Sequence, residues 1–248
     1  MELTKENSLQ ELGISAGESQ IKHLQSYVSL LLDWNKKINL VSRKSADGGE
    51  ENVWEQHIIG SISFLSKFQL EPKSRILDLG TGGGLPGIPL AILLPDSQFV
   101  LIDSIQKKIN AVNDILVNLK LPNVRAYVGR AEELNKKNEF HAKFDYVITR
   151  AVASTTDIIK WATPFLKQGS LTSLPAGAGQ ERGKGEVKAA GGELLSSGAI
   201  LLLKGGDLTE EIQAAKIKCK PKSIEVHNLP SSPESAYLIE KKLVIIHP

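Results

Sequence analysis

The 248-residue sequence contains a single cysteine, and only 5% of its residues are aromatic. One thiol, Cys219, excludes an intramolecular disulfide, and such scarcity is typical of a reducing compartment, so we expect a cytoplasmic protein. The chain also lacks a long hydrophobic run. Its apolar stretches fall far short of the roughly 20 residues that cross a bilayer, and no signal peptide opens it. We therefore expect no membrane partner.

The sequence has little net charge as well. It carries 30 Lys and Arg residues against 28 Asp and Glu residues, a formal net charge of +2. This value neither requires nor excludes a nucleic-acid partner, so any RNA contact must come from local basic clusters. The hydrophobic content of 41% is ordinary for a globular protein, and the length suits one large α/β domain with an appendage.

The most specific pattern in the chain is RILDLGTGGGLPGIP, residues 75–89. Residues 76–79 predict a short buried strand, and the glycines after it let the backbone turn sharply and leave room for a ligand. Residues 86–93 then predict a helix with proline in its first turn. Strand, glycine turn and helix are typical of a nucleotide-type cofactor loop, which we expect to bind its ligand through Gly82 and Gly84.

Charge favours one cofactor over another at this loop. Gly82, Gly84 and Gly87 satisfy the dinucleotide pattern G-x-G-x-x-G, which is a weak signal by itself. Asp78, two residues before the first glycine, would repel a pyrophosphate but attract the sulfonium and ammonium groups of S-adenosylmethionine. The pattern therefore favours S-adenosylmethionine over NAD. A glycine-rich turn without any ligand is the alternative.

Two later strand ends place further polar side chains at the same edge. Ligands of open α/β sheets bind outside the carboxyl ends of the strands. Asp103 ends a predicted strand at 98–102 and suits a hydrogen bond to a ribose hydroxyl, although it could also cap the next helix. Arg150 follows a predicted strand at 144–149 and is expected to point at the site, the alternative being a solvated arginine.

The first 70 residues predict a small helical cap. Apolar residues recur at helical spacing over 17–37 and again over 54–65. His57 lies on the second of these helices. A lone histidine beside an apolar face is most often a structural residue, and we interpret it so.

Residues 71–248 predict the second, larger domain. Its strands are interrupted at about 169–198 by a segment rich in Gly, Ser and Ala, which we interpret as a flexible insertion. A strand resumes at Ala199. Residues 223–226 and 242–246 then suit a closing pair of strands, which the pattern allows to be antiparallel.

The residues that are missing also bear on the chemistry. Methylation at carbon-5 of cytosine needs a cysteine nucleophile, and Cys219 lies well past the predicted cofactor edge. The turn after the fourth strand, residues 149–152, lacks the Asn/Asp-Pro-Pro-aromatic pattern common for exocyclic amines. A ring nitrogen such as guanine N7 has a free lone pair and needs no general base. We accordingly predict no catalytic side chain and no metal, which small-molecule methylation would also allow.

Taken together, these residues resemble a known family, the bacterial small-subunit ribosomal RNA guanine-N7 methyltransferases called RsmG or GidB. The matching stretches run in family order across most of the chain: residues 34–40 (WNKKINL), His57 with Ser61, 78–89, 101–104 (LIDS), 130–133 (RAEE), 149–151 (TRA) and 203–205 (LKG).

The resemblance implies a class I methyltransferase fold, with a mostly parallel seven-stranded sheet, helices on both faces and an N-terminal helical cap. It also implies methylation of one guanine of 16S ribosomal RNA near the decoding site, within the small subunit or its precursor, with no DNA partner. On the family pattern, Gly80, Leu85, Ala131, Glu132 and Arg150 would contact S-adenosylmethionine. Asp103 would be the ribose acid by analogy with the general fold.

Two features depart from the family pattern. Gly60 stands where the family usually has aspartate, and the Gly-rich insertion is atypical. Three other functions compete with RNA methylation: small-molecule methylation by the same cofactor, NAD-type oxidoreduction, and non-catalytic binding of S-adenosylmethionine.

Overall fold

A computed structural model describes residues 5–150, 153–167, 192–230 and 241–248. The described elements before residue 67 are all helical, and strands and helices alternate from Arg75 to Ala162. The strands are β1 (Phe68–Gln69), β2 (Arg75–Leu79), β3 (Gln98–Asp103), β4 (Val124–Val128), β5 (Tyr146–Arg150), β6 (Glu193–Leu194), β7 (Ala199–Gly205), β8 (Ser223–Asn228) and β9 (Lys241–His247).

The helices of the same part vary in length from one turn to five. They are α1 (Lys5–Glu11), α2 (Glu18–Asn35), α3 (Arg43–Asp47), α4 (Gly49–Val53), α5 (Gly60–Ile62), α6 (Gly87–Leu93), α7 (Gln106–Leu119), α8 (Ala131–Leu134), α9 (Thr155–Ala162) and α10 (Thr209–Cys219). A π-helix, Trp54–Ile59, joins α4 to α5, and 3-10 turns lie at Ser63–Ser66 and Thr163–Phe165.

Seven of the described strands form one sheet in the order β4-β3-β2-β5-β7-β9-β8. The first five are parallel, and β9 runs antiparallel to both β7 and β8. The strands alternate apolar side chains between two buried clusters, one on each face. The predicted α/β fold, with its mostly parallel seven-stranded sheet and antiparallel closing pair, is therefore confirmed.

The helical cap covers one face of this sheet. Buried residues of α2, among them Leu24 and Tyr27, belong to the same apolar cluster as Ile88 of α6 and Leu101 of β3. The Gln20 side-chain amide also donates to the carbonyl of Ile92 (2.9 Å) at the end of α6, where helix carbonyls lack partners. The cap thus shares its core with the sheet. A division into two domains at residue 70 stays a prediction.

Two local differences separate the structure from the predicted pattern. The helix predicted over 54–65 contains a π turn at Trp54–Ile59. Most of the predicted insertion, residues 169–191, lies outside the described residues. Its end lies within them, and there β6 pairs in parallel with β1. Among the described helices, none is both long enough and apolar enough to span a bilayer.

Candidate functional site

The glycine turn after β2 is held in a conformation that glycine favours. Gly80, Gly82 and Gly84 have φ angles of 74°, 58° and 103°, values that a side chain disfavours. The backbone amides of Gly80 and Thr81 both donate to the carbonyl of Ile102 at 2.9 Å. These bonds tie the turn to the end of β3. A Cβ placed on Gly82 would meet no atom within 4 Å, so the turn borders open space.

Asp78 lies beneath this turn and is fully buried. Its Oδ2 accepts hydrogen bonds from the Thr81 hydroxyl (2.6 Å) and the Gly87 amide (2.8 Å). Its Oδ1 has no hydrogen-bond partner among the described residues. Burial raises the pKa of Asp78 to about 7, although these two hydrogen bonds oppose the shift. The carboxyl group therefore shapes the loop and still has one free acceptor atom.

Asp103 joins the same turn to the next strand. Its Oδ2 accepts from the Gly82 amide at 3.0 Å, and its Oδ1 accepts from the Ile105 amide at 2.9 Å. The second bond closes a turn just before α7, whose N-cap is Ile105 and has no side-chain capping hydrogen bond. The predicted role of Asp103 as the helix cap is therefore wrong, and its side chain fixes the turn instead. The first bond places this carboxylate within the cofactor loop, where a ribose hydroxyl would have to reach it.

Three other predicted contact residues surround the turn or follow β4. Leu85, near the end of the turn, is buried. The Gly129 amide donates to the Asp103 carbonyl at 3.0 Å, which brings the loop after β4 against the end of β3. Ala131 and Glu132 then open α8, with Ala131 buried and Glu132 exposed. The predicted residues thus lie on adjacent loops at one edge of the sheet.

Arg150 ends β5 and faces the cap. Its Nη1 donates to the His57 carbonyl (3.2 Å) and the Ser61 hydroxyl (3.3 Å). Its Nη2 donates to the Gln56 carbonyl (3.3 Å) and to His57 Nδ1 (2.7 Å). The guanidinium therefore ties the sheet edge to the segment around the π-helix. It is not the solvated arginine that the sequence also allowed.

His57 is the residue whose place the sequence did not indicate. Arginine can only donate, so His57 Nδ1 must accept and a neutral ring carries its proton on Nε2. Burial, and then the nearby charge of Arg150, lowers the pKa of His57 to about 3, which keeps the ring neutral. The π turn supplies the reason for this contact, since π-bulges disturb regular helical bonding and concentrate at functional sites. Its carbonyls at 56 and 57 both accept from Arg150.

The cap also contacts the glycine turn directly. The buried Tyr27 hydroxyl donates to the Gly83 carbonyl at 3.0 Å. A Cβ on Gly83 would lie 2.7 Å from Leu31 Cδ1 and 3.1 Å from Leu40 Cβ. Both distances are too short for ordinary contact, so alanine at residue 83 would force the tip of the Leu31 side chain and Leu40 to shift.

We expect Gly83→Ala to lower the free energy of unfolding by about 1–3 kcal/mol, the usual range for overpacking. Urea titration monitored by tryptophan fluorescence would measure it. Wild type is the reference, because Gly17, where a Cβ would have room, is the N-cap of α2 and its replacement by alanine would itself destabilise that helix. A Gly83→Ala protein as stable as wild type would show that Leu31 and Leu40 can shift without loss of packing.

The residues at this edge suit a cationic nucleoside cofactor. They combine an open glycine turn, a buried carboxyl with one unpartnered oxygen and a second carboxylate bound to the turn. Each of these groups comes from the carboxyl end of a parallel strand or from the loop after it. This is where ligands bind in open α/β sheets.

Comparisons with known proteins agree with this geometry. A family model described as rRNA small subunit methyltransferase G (GidB) matches residues 20–183. Three relatives carry the name ribosomal RNA small subunit methyltransferase G. The one from Bacteroides thetaiotaomicron is 33% identical over 92% of each chain, and the one from Flavobacterium johnsoniae is 37% identical over 78% of each. For the one from Lachnoclostridium phytofermentans, the match is 38% identical and spans 65% of each chain.

Solved structures show the same fold. A crystal structure of a predicted O-methyltransferase from Agrobacterium tumefaciens superposes with a TM-score of 0.52. The aligned region is 17% identical and covers 75% of this chain and 79% of that one. The likeness confirms the class I methyltransferase fold.

Proposed function

Because the chain belongs to the family of rRNA small subunit methyltransferase G, we propose that it transfers a methyl group from S-adenosylmethionine to N7 of one guanine in 16S ribosomal RNA, near the decoding site. The observation that carries the proposal is the glycine turn held between Asp78 and Asp103. It binds a cofactor at the carboxyl edge of a sheet and offers no cation to a pyrophosphate.

Each predicted contact has a separate task in this proposal. The backbone of Gly80, Gly82 and Gly84 lets the cofactor approach the turn, and the buried Leu85 closes it on the cap side. Ala131 and Glu132 follow β4 and line the adenine.

The charged groups hold the rest of the cofactor. Asp103 accepts from the ribose hydroxyls, and Asp78 supplies the negative field for the sulfonium and ammonium. Arg150 borders both the cofactor and the cap.

The chain itself contributes orientation more than acid–base chemistry. When bound, S-adenosylmethionine supplies the methyl group and a thioether leaving group. N7 of guanine carries a lone pair and no proton, so no side chain has to remove one. The residues around the turn hold the acceptor in line and exclude water, which accounts for a large share of such a barrier.

The substrate context follows from the same reasoning. We propose that the RNA is presented in the small ribosomal subunit or its precursor, in the cytoplasm, and that DNA and membranes are not partners. A nearly neutral chain must hold RNA through local basic clusters.

The test is methylation of small subunits from a strain that lacks this modification. We expect incubation with the protein and S-adenosylmethionine to add one methyl group to 16S ribosomal RNA. Borohydride and aniline cleavage followed by primer extension would place it at N7 of a guanine. A protein that methylates a metabolite and never 16S ribosomal RNA would instead be a small-molecule methyltransferase. One that binds the cofactor without any turnover would be a binding module.

A further inference from the structure

A small basic cavity lies beside the proposed cofactor edge. It has a volume of about 120 Å³ and is bordered by Arg150, Lys204, Lys241, Lys242 and Gly60, among others. Lys204 pairs with Lys242 across β7 and β9, so the cavity lies where the carboxyl end of β7 meets the start of β9. A protein cavity of about 150 Å³ holds benzene, so this one has room for a phosphate group.

Few carboxylates touch the cations around this cavity, although Asp207 interacts electrostatically with Lys242 and Asp78 with Arg150 over longer distances. Lys204 pairs with Glu211 and donates to the Ala153 carbonyl at 3.0 Å. Lys242 donates to the neutral carbonyl of Gly206 at 2.7 Å. The four described contacts of Arg150 are also to neutral acceptors. Within the described chain, three of the four cations therefore have no carboxylate in contact.

Of these four cations, Lys241 has the fewest partners for its positive charge. Among the described residues, no acceptor lies within hydrogen-bond distance of its Nζ. Burial lowers the pKa of Lys241, and the positive charge of Arg150 lowers it further. Gly60, on the wall of the cavity, has no side chain that could offer a carboxylate. An anion bound here would gain charge-assisted hydrogen bonds and would relieve repulsion between the cations.

We propose that this cavity binds one phosphate of the RNA backbone next to the methylated nucleotide. The proposal rests on the proposed function, because it takes ribosomal RNA as the substrate. Phosphate contacts position a nucleic acid without reading its sequence. Arg150 borders the cavity and the cofactor edge alike, so a phosphate here would set the distance from the backbone to the methyl donor.

Two other anions could occupy the same cavity: the carboxylate of S-adenosylmethionine and free inorganic phosphate. The carboxylate of S-adenosylmethionine carries its own ammonium as counter-ion and needs less positive charge. Free inorganic phosphate would bind the same cations without fixing any RNA. An RNA phosphate would accept from Lys241 and Lys242 and would lie in the positive field of Arg150, whose four Nη hydrogens are donated to the cap. It would supply the local basic contact that a chain of net charge +2 requires.

The test compares Lys241→Gln with Lys216→Gln, a charge-matched control at an exposed position of α10. Filter binding to a 16S ribosomal RNA fragment, over a series of salt concentrations, gives affinity without turnover. We expect Lys241→Gln to weaken RNA binding about five- to tenfold and to reduce the salt slope by about one. Its affinity for S-adenosylmethionine by calorimetry should stay at the wild-type value.

A further variant guards against misfolding. Lys241→Arg keeps the charge and should restore RNA affinity, whereas a structural defect would not be rescued. Folding of each variant is checked by its thermal midpoint.

Three results would overturn the proposal. RNA affinity and salt slope unchanged in Lys241→Gln would remove the phosphate contact. Weakened S-adenosylmethionine binding with normal RNA binding would assign the cavity to the cofactor carboxylate. Inorganic phosphate that binds Lys241→Gln as tightly as wild type would also exclude Lys241 as a ligand. A protein that binds RNA through Lys241 but methylates no guanine would contradict the proposed function alone.

Discussion

Replacement of Arg150 by alanine is expected to lower methyl transfer by about 100-fold or more and to destabilise the protein by about 2–4 kcal/mol. The stability loss follows because Arg150 donates to four acceptors in the segment 56–61. Removing it leaves buried acceptors unsatisfied, at about 1–3 kcal/mol for each fully lost partner. The loss of transfer follows because that segment and the end of β5 flank the cofactor edge. A displacement of about 1 Å there can lower the rate of transfer about 100-fold.

Stability and function can be measured separately in this variant. Urea unfolding gives the first, and calorimetry with S-adenosylmethionine plus single-turnover methylation gives the second. Arg125→Ala is the control, since Arg125 is an exposed arginine on β4 whose described bonds are to the carbonyls of Pro122 and Val124. Wild-type cofactor affinity and activity in Arg150→Ala would contradict its role at the site, whatever its stability.

Arg150→Lys distinguishes charge from geometry. Lysine keeps the positive charge but cannot donate in the planar fork that reaches two carbonyls and an imidazole together. We expect it to recover only part of the stability. Full recovery would mean that the position needs a cation and no particular hydrogen-bond pattern.

The parallel part of the sheet could be predicted because its signals are local. Residues 76–79 and 98–103 are short apolar runs, and each ends in an acid or a glycine turn that marks the carboxyl edge. Once the strands are parallel, topology alone brings Asp103 and the glycine turn together. The bond from the Gly82 amide to Asp103 confirms that placement.

The position of His57 could not be predicted in the same way. Its contact with Arg150 joins residues 93 positions apart. Hydrophobic periodicity predicts local structure and cannot predict a contact between such distant residues. Helical spacing over 54–65 predicted an ordinary helix, whereas a π turn changes which carbonyls are free. The signal that was available is the joint presence of His57 and Ser61 in the family pattern. Both residues contact Arg150.

Burial of Asp78 was equally invisible in the sequence. An acid at a strand end was expected to face the ligand, since carboxylates are rarely buried without a partner. The structure instead places it under the turn, where it binds Thr81 and Gly87. The residue type and spacing of Asp78 predicted the loop but not the burial of its side chain. How strongly it acts on the cofactor is therefore a question for titration.

Asp78→Asn is expected to weaken S-adenosylmethionine binding about tenfold at pH 8 and S-adenosylhomocysteine binding less. Asparagine can still accept from Thr81 and Gly87 through its amide oxygen, so the loop is kept while the charge is lost. S-adenosylhomocysteine lacks the sulfonium charge but keeps the ammonium, so the difference between the two losses reports the Coulomb interaction with the sulfonium, about one or two kcal/mol over several ångströms. The pair of ligands thus isolates the electrostatic effect from loop geometry. Asp96→Asn, at an exposed position before β3, is the charge-matched control.

The pH dependence gives the same test an independent reading. Burial raises the pKa of Asp78 to about 7, and the ionised form binds the cation. Wild-type affinity for S-adenosylmethionine should therefore be constant above pH 8 and fall by about tenfold in total as the pH is lowered through 7, with a second plateau near pH 5. The affinity of Asp78→Asn should not change with pH.

The stability of the protein gives a second prediction. A carboxyl group whose pKa is raised on folding stabilises the native state at a pH below its pKa in the unfolded chain, and this contribution is lost as the pH rises through 7. Asp78→Asn should thus gain stability relative to wild type between pH 5 and pH 8. A wild-type affinity independent of pH, with equal losses for both ligands in the variant, would reduce Asp78 to a support of the loop and remove the electrostatic basis for its choice of cofactor.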